Sequence, residues 1–244
     1  MTLGRRTSGG IGSIQVLSSG ERGHFDHGWL DTYHSFSFGD YHDPARIRFR
    51  SLRVINEDWI APGMGFGTHP HRDMEILTYV LEGTLVHGDS LGHGGPIRVG
   101  ELQRITAGTG LTHSERNGSE TEPVHLYQIW LFPERKGLPP GYEQRAFDED
   151  ARRGRWQLVA SRDGREGSLT IHQDASISLA RLEANERIDL EVGTDRHAWL
   201  QVVRGRVALE GTILEAGDAA TIAPGSSLTV KGEEDSEVML FDLA

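Results

Sequence analysis

His69-Pro70-His71-Arg72-Asp73-Met74-Glu75-Ile76-Leu77-Thr78-Tyr79-Val80-Leu81-Glu82-Gly83 is the stretch that decides how this chain folds. Ile76 to Leu81 is rich in β-branched and aromatic residues and runs into a glycine, the pattern of a strand ending in a turn. Ahead of it, the alternation His69-x-His71 puts two imidazoles on one face of an extended segment, because successive strand side chains point to opposite sides. His113-Ser114-Glu115 repeats the same parity with an imidazole and a carboxylate. Two such strands side by side bring His69, His71, His113 and Glu115 into one pocket. Three neutral nitrogens and one anionic oxygen suit a first-row transition metal. His24, His27, His34, His42, His87, His93, His125, His172 and His197 carry no comparable pattern and are read as structural or surface residues.

Outward from this stretch the same texture continues. Leu52–Asn56, Val124–Trp130 and Trp199–Val203 are strand-like, the chain holds 31 glycines, and no long segment keeps a helical period with caps. Many short strands separated by glycine turns mean an all-β sandwich or barrel. A breaker-rich run from Phe132 to Gly141 divides the chain and reads as a linker between domains 1–136 and 137–244. The halves are related. Val80-Leu81-Glu82-Gly83 matches Val202-Val203-Arg204-Gly205 at an offset of 122, and Gly100-Glu101 matches Gly217-Asp218 at 117. At these offsets His69 falls on Glu191, His71 on Gly193, His113 on Val230 and Glu115 on Gly232. Turn signals persist while every ligand is replaced, so a site-specific role belongs to the first half.

The net charge of −11 argues against non-specific nucleic-acid binding, which needs a basic face. A local exception is Arg46, Arg48 and Arg50, which alternate as if along a strand and would then share one face. No cysteine is present, which excludes disulfides, thiolate metal sites and cysteine nucleophiles. Arg5 and Arg6 are followed by Gly, Ser and Thr rather than an apolar run, and nothing approaches a membrane span, so a soluble cytoplasmic protein is expected.

Taken together, Gly63 followed by His69-Pro70-His71, Glu75 and Gly83, and Gly100 through Gly108-Thr109-Gly110 to His113 and Asn117, resemble the two cupin motifs. The proline common in the second motif is absent, with Thr106-Ala107-Gly108 in its region. Ser35-Phe36-Ser37-Phe38, Thr68–Glu75, Gly108–Glu115 and Leu126-Tyr127-Gln128-Ile129-Trp130 are similar to the pirin family in particular, and the resemblance covers nearly the whole chain. It implies a bicupin of two face-to-face jelly-roll β-barrels, with His69, His71, His113 and Glu115 as ligands in the first and none in the second. One divalent transition metal per chain is expected, iron ahead of nickel, cobalt, copper, manganese or zinc. Glu75, a ligand in many other cupins, is expected to orient an imidazole from outside the ligand set.

The resemblance further implies quercetin 2,3-dioxygenase activity: O2-dependent opening of the central ring of a flavonol with release of carbon monoxide. Glu115 is the expected catalytic base for the 3-hydroxyl proton. A flat aromatic substrate asks for an aromatic-edged entrance, for which Phe36, Phe38, Met64, Phe66, Tyr127 and Trp130 are candidates. The alternative that the same resemblance implies is a metal- or redox-dependent regulator whose partners are transcription factors or metabolic enzymes.

Overall fold

The β-branched runs become strands throughout the computed structural model, which describes residues 14–244. Arg5 and Arg6 lie outside the described residues. The described residues form 22 strands and three short 3-10 turns, as expected of an all-β chain. They divide into two units. The first holds Arg22–Arg152 and Gln157–Ile177; the second holds the described residues up to Glu21, Arg153–Trp156 and Ser178–Ala244.

Two antiparallel sheets build the first unit from Arg22 to Arg152. One has the order Gly141–Ala146, Glu101–Thr106, Glu75–Glu82, Val124–Leu131, Leu52–Ile60, Leu30–His34, Gly23–Asp26; the other has the order Gly65–His71, Leu111–Asn117, Thr84–Asp89, Gly94–Arg98. Strand alternation sends every second side chain into the space between them. Ile60, Val80, Leu85, Val124 and Leu126 form one apolar cluster there, and Ile76, Ile105 and Leu111, with Met74 and Trp130, form another. Each fully buried side chain of this kind stabilises the fold by about 1.5–3 kcal/mol. Thr78 lies between Ile76 and Val80 on its strand, and Gln128 between Leu126 and Trp130 on the next. The barrel interior is therefore apolar at two levels with a polar layer between.

The second unit repeats this plan. Arg187–Glu191, Ser227–Gly232, Arg206–Leu209 and Thr212–Glu215 follow the order of the first unit's four-stranded sheet, and Ala219–Ile222, His197–Arg204 and Ser236–Leu243 follow that of Glu101–Thr106, Glu75–Glu82 and Val124–Leu131. Strand register corrects part of the comparison made from spacing. Val230 pairs with Ile188 as His113 pairs with His69, and Leu228 pairs with Leu190 as Leu111 pairs with His71. The counterparts of His69 and His71 are thus Ile188 and Leu190, not Glu191 and Gly193. The loop after Glu191 is longer than the one after His71, which displaces the count but not the strand. Ile188, Leu190 and Val230 all belong to the buried apolar core of the second unit.

Two further segments differ from their reading in the sequence. The breaker-rich run is not a free linker: Leu138 is buried, its carbonyl accepts from Thr109 N at 2.9 Å, and Gly137 N donates to Asp73 Oδ1 at 2.7 Å. Gly108 (φ 48°) lies so close beneath this strap that a Cβ would overlap the Leu138 carbonyl oxygen. Arg46, Arg48 and Arg50 do not alternate along a strand. Arg50 takes a positive φ of 54° inside a tight turn closed by mutual Phe49 and Leu52 backbone bonds of 2.9 Å, and the strand starts only at Leu52. Arg46 turns to Asp43 at 3.8 Å and Arg48 lies over the Phe132 ring, so no common arginine face forms.

Candidate metal centre

The two histidine motifs lie on neighbouring strands. His69 and His71 project from Gly65–His71, the edge strand of the four-stranded sheet, and His113 from Leu111–Asn117 beside it. His113 is the direct register partner of His69, and Leu111 that of His71. The ring centroids of His69, His71 and His113 lie 4.5–4.7 Å apart, and all three offer a nitrogen within 4.8 Å of the others. His69 and His113 meet through their Nε2 atoms at 3.0 Å. That separation matches adjacent donors on a metal, which at about 2.1 Å per bond stand about 3 Å apart.

Each ring is prepared for the role. His69 Nδ1 lies 2.8 Å from Gly67 O, and donating there leaves Nε2 with its lone pair facing inward. Burial, and then the neighbouring His69, lowers His71 to about 4; burial, followed by His71, lowers His113 to about 3. Neutral imidazoles at neutral pH are what a metal requires. His69 and His71 are half-buried and His113 is buried.

Glu115 sits one step deeper. A bulge between His113 and Glu115 shifts the register, pairing Glu115 with Phe66 on one side and with His87 on the other. Its carboxylate groups with His87 and His113, within 4.8 Å, rather than with His69 and His71. Gln128 Nε2 donates to Oε2 at 3.1 Å and to Oε1 at 3.4 Å, and Thr78 Oγ1 lies 3.5 Å from Oε1. Burial pushes Glu115 up to about 7, the Gln128 hydrogen bond offsets part of this, and the charge of Asp58 adds to it. The residues fit a metal as three convergent imidazoles with a carboxylate within reach of the shared His113.

The structure therefore joins three of the four expected ligands directly and adds His87, Thr78 and Gln128 beside the fourth. His87-x-Asp89 has the same strand parity as His69-x-His71 and His113-x-Glu115, a signal open to sequence reading; Thr78 and Gln128 carry none beyond their place in strand-like runs. His87 is buried, with Nε2 at 3.3 Å from Asp89 Oδ2. Glu75 does not orient a ligand. It has the opposite parity to Thr78 and faces Thr106 Oγ1 at 3.0 Å and His172 N at 3.2 Å on the other side of the sheet. Among the aromatic candidates, Trp130 meets His71 edge-on at 4.9 Å and Phe38 at 5.3 Å, and Phe66 lies 6.3 Å from His69. Tyr127 points to the opposite face of its strand, and Phe36 is buried.

A duplicated barrel with a histidine-rich centre in one copy and an apolar core in the other defines a two-domain cupin. Residues 12–131 match the family model Pirin, and residues 158–243 match that of the quercetinase C-terminal cupin domain. Quercetin 2,3-dioxygenase of Escherichia coli K12 is 49% identical over 94% of this chain and 98% of its own. A putative quercetin 2,3-dioxygenase of Zymomonas mobilis is 42% identical over 89% of this chain and 93% of its own. The crystal structure of the E. coli pirin YhhW in complex with nickel(II) superimposes with a TM-score of 0.90 at 48% identity, covering 94% of this chain and 98% of that one. The chain belongs to the pirin family.

Proposed function

We propose that this protein is a quercetin 2,3-dioxygenase that binds one divalent metal per chain through His69, His71, His113 and Glu115 and opens the central ring of flavonols with O2, releasing carbon monoxide. The observation that carries the reading is the convergence of three imidazoles with a buried carboxylate one step deeper. The activity named for the E. coli relative and the nickel in its crystal structure support it. When bound, the metal supplies Lewis acidity toward the 3-oxyanion and a path for electron density toward O2.

The chain's own residues supply the rest. The Gly67 carbonyl fixes the His69 ring with Nε2 inward. Glu115, which burial raises to about 7 in the metal-free chain, takes the 3-hydroxyl proton and holds it on its carboxylate. Trp130 beside His71, with Phe38 in a T-shaped contact to Trp130, and Phe66 beside His69 form the aromatic border for a flat substrate. Iron as the native ion and a cytoplasmic location are parts of this proposal; no helix among the described residues is long and apolar enough to cross a membrane.

The test is quercetin with the metal-loaded protein in air. Bleaching of the flavonol, oxygen uptake and carbon monoxide release are expected together. Absence of all three with several flavonols would sink the enzyme reading and move the metal-dependent regulator ahead, to be sought by partner capture with and without metal.

A further inference from the structure

Gln128 stands in the middle of the string Leu126–Trp130 and has no part in the ligand set. It is nonetheless the principal partner of Glu115, through amide contacts of 3.1 and 3.4 Å to the two carboxylate oxygens. Thr78 Oγ1 completes the cradle, 3.5 Å from Glu115 Oε1 and 3.4 Å from Gln128 Oε1. Thr78 and Gln128 are register partners on adjacent strands of the seven-stranded sheet. Glu115 belongs to the four-stranded sheet, which also carries His69, His71 and His113. Its carboxylate is thus held by the facing sheet, while it groups with His87 and His113 rather than with the His69, His71 and His113 cluster.

We propose that Gln128, assisted by Thr78, is a positioning residue that holds Glu115 in a second, hydrogen-bonded position off the three-histidine centre, so that the carboxylate exchanges between metal ligand and free base. The inference rests on the reading of Glu115 as both ligand and base. A buried carboxylate needs partners wherever it sits, since leaving it unsatisfied costs more than the net worth of a hydrogen bond. Here there are two places that satisfy it. One is the metal; the other is the amide and hydroxyl of the facing sheet. Weakening either shifts the carboxylate toward the other.

The consequence runs against ordinary damage. Gln128→Met keeps the length of the side chain and removes the amide, so the carboxylate is left with the metal as its strong partner. Ni(II) affinity, measured by competition with a chromophoric chelator, should tighten roughly tenfold, the worth of one hydrogen bond to a charged group. Turnover of quercetin should fall at the same time through kcat, with KM nearly unchanged, because the base is withdrawn and the substrate border is untouched. Thr78→Val should move both readouts in the same direction by less, and Thr78→Ser should restore them. In a Glu115→Gln background Gln128→Met should no longer tighten Ni(II), which makes the coupling a direct measurement. A Gln128 that serves only packing predicts looser metal binding and a lower unfolding temperature. Weakened or unchanged Ni(II) affinity in both Gln128→Met and Thr78→Val overturns the proposal. Should the wild type fail to turn over any flavonol, the Ni(II) affinities still decide whether Gln128 competes for Glu115, and only the base role falls with the proposed activity.

Discussion

His69 and His113 are direct register partners on adjacent antiparallel strands, and their Nε2 atoms face each other at 3.0 Å. Directly opposed residues on one face of a sheet bring their side chains within reach of each other, so this contact follows from strand pairing and needs no loop to build it. His71, one step along the same face, completes the cluster.

Replacing His69, His71 or His113 with Ala should therefore remove the metal without unfolding the barrel. The apolar clusters around Val80 and Ile105 contain none of the three imidazoles. His113→Ala should have the largest effect on binding, because His113 alone belongs to both donor groups. Metal content by mass spectrometry and thermal unfolding of the metal-free variants check this; full occupancy in any two of them would remove the assignment.

The second unit makes an independent test. Its matching register positions, Ile188, Leu190 and Val230, are buried and carry no donor atom. A stoichiometry of one metal per chain is expected in tag-free protein. Two equivalents held through gel filtration would contradict it.

What the sequence makes legible is what depends on neighbours along the chain. The parity of His69 and His71, the strand runs and the glycine turns are local, and all of them stand in the structure. Features that depend on which strands pair, or on what faces them across the barrel, were not legible. His87 reaches Glu115 only because Thr84–Asp89 pairs with Leu111–Asn117, and Gln128 reaches it only from the facing sheet. Glu75 was misplaced because its expected role came from its place in the cupin motif, which does not tell which face of the strand it takes; it lies on the face opposite Thr78 and meets Thr106 and His172. The Arg46–Arg50 alternation failed because the strand starts only at Leu52 and Arg50 itself sits in a turn with a positive φ of 54°.

Asp58 offers a prediction about stability. Its carboxyl lies inside the first barrel, where burial, only partly offset by the 2.5 Å hydrogen bond from Thr32 and increased by the charge of Glu57, pushes it up to about 7. In the unfolded chain it titrates near the ordinary 3.9. Between these values the folded protein holds a proton that the unfolded chain has released, so stability falls as pH rises from about 4 to about 7. Asp58→Asn keeps an acceptor for Thr32 and removes this slope. It should stabilise the metal-free protein at and above neutral pH by on the order of 2–4 kcal/mol and leave it little changed near pH 4. Urea unfolding at several pH values measures this, and an equal or larger loss of stability with rising pH in the variant would refute it.

Glu115→Gln tests the chemistry most directly. The substitution preserves size and a ligand oxygen, and the new amide still has Gln128 and Thr78 as neighbours, but the negative charge and nearly all basicity are gone. Because burial raises Glu115 to about 7, its base form grows as pH rises through that value. A bound cation favours the ionised carboxylate and moves this value down, so with the metal-loaded wild type kcat/KM for quercetin should climb with pH across an acidic limb below 7 that the variant lacks. At equal metal occupancy the variant's rate should be lower by about 10²–10⁴, the span of a positioned acid–base group. Occupancy must be measured beside the rate, since loss of the ion alone would also lower activity. If rate and pH profile match the wild type at equal occupancy, Glu115 remains a ligand and the 3-hydroxyl proton leaves by another route.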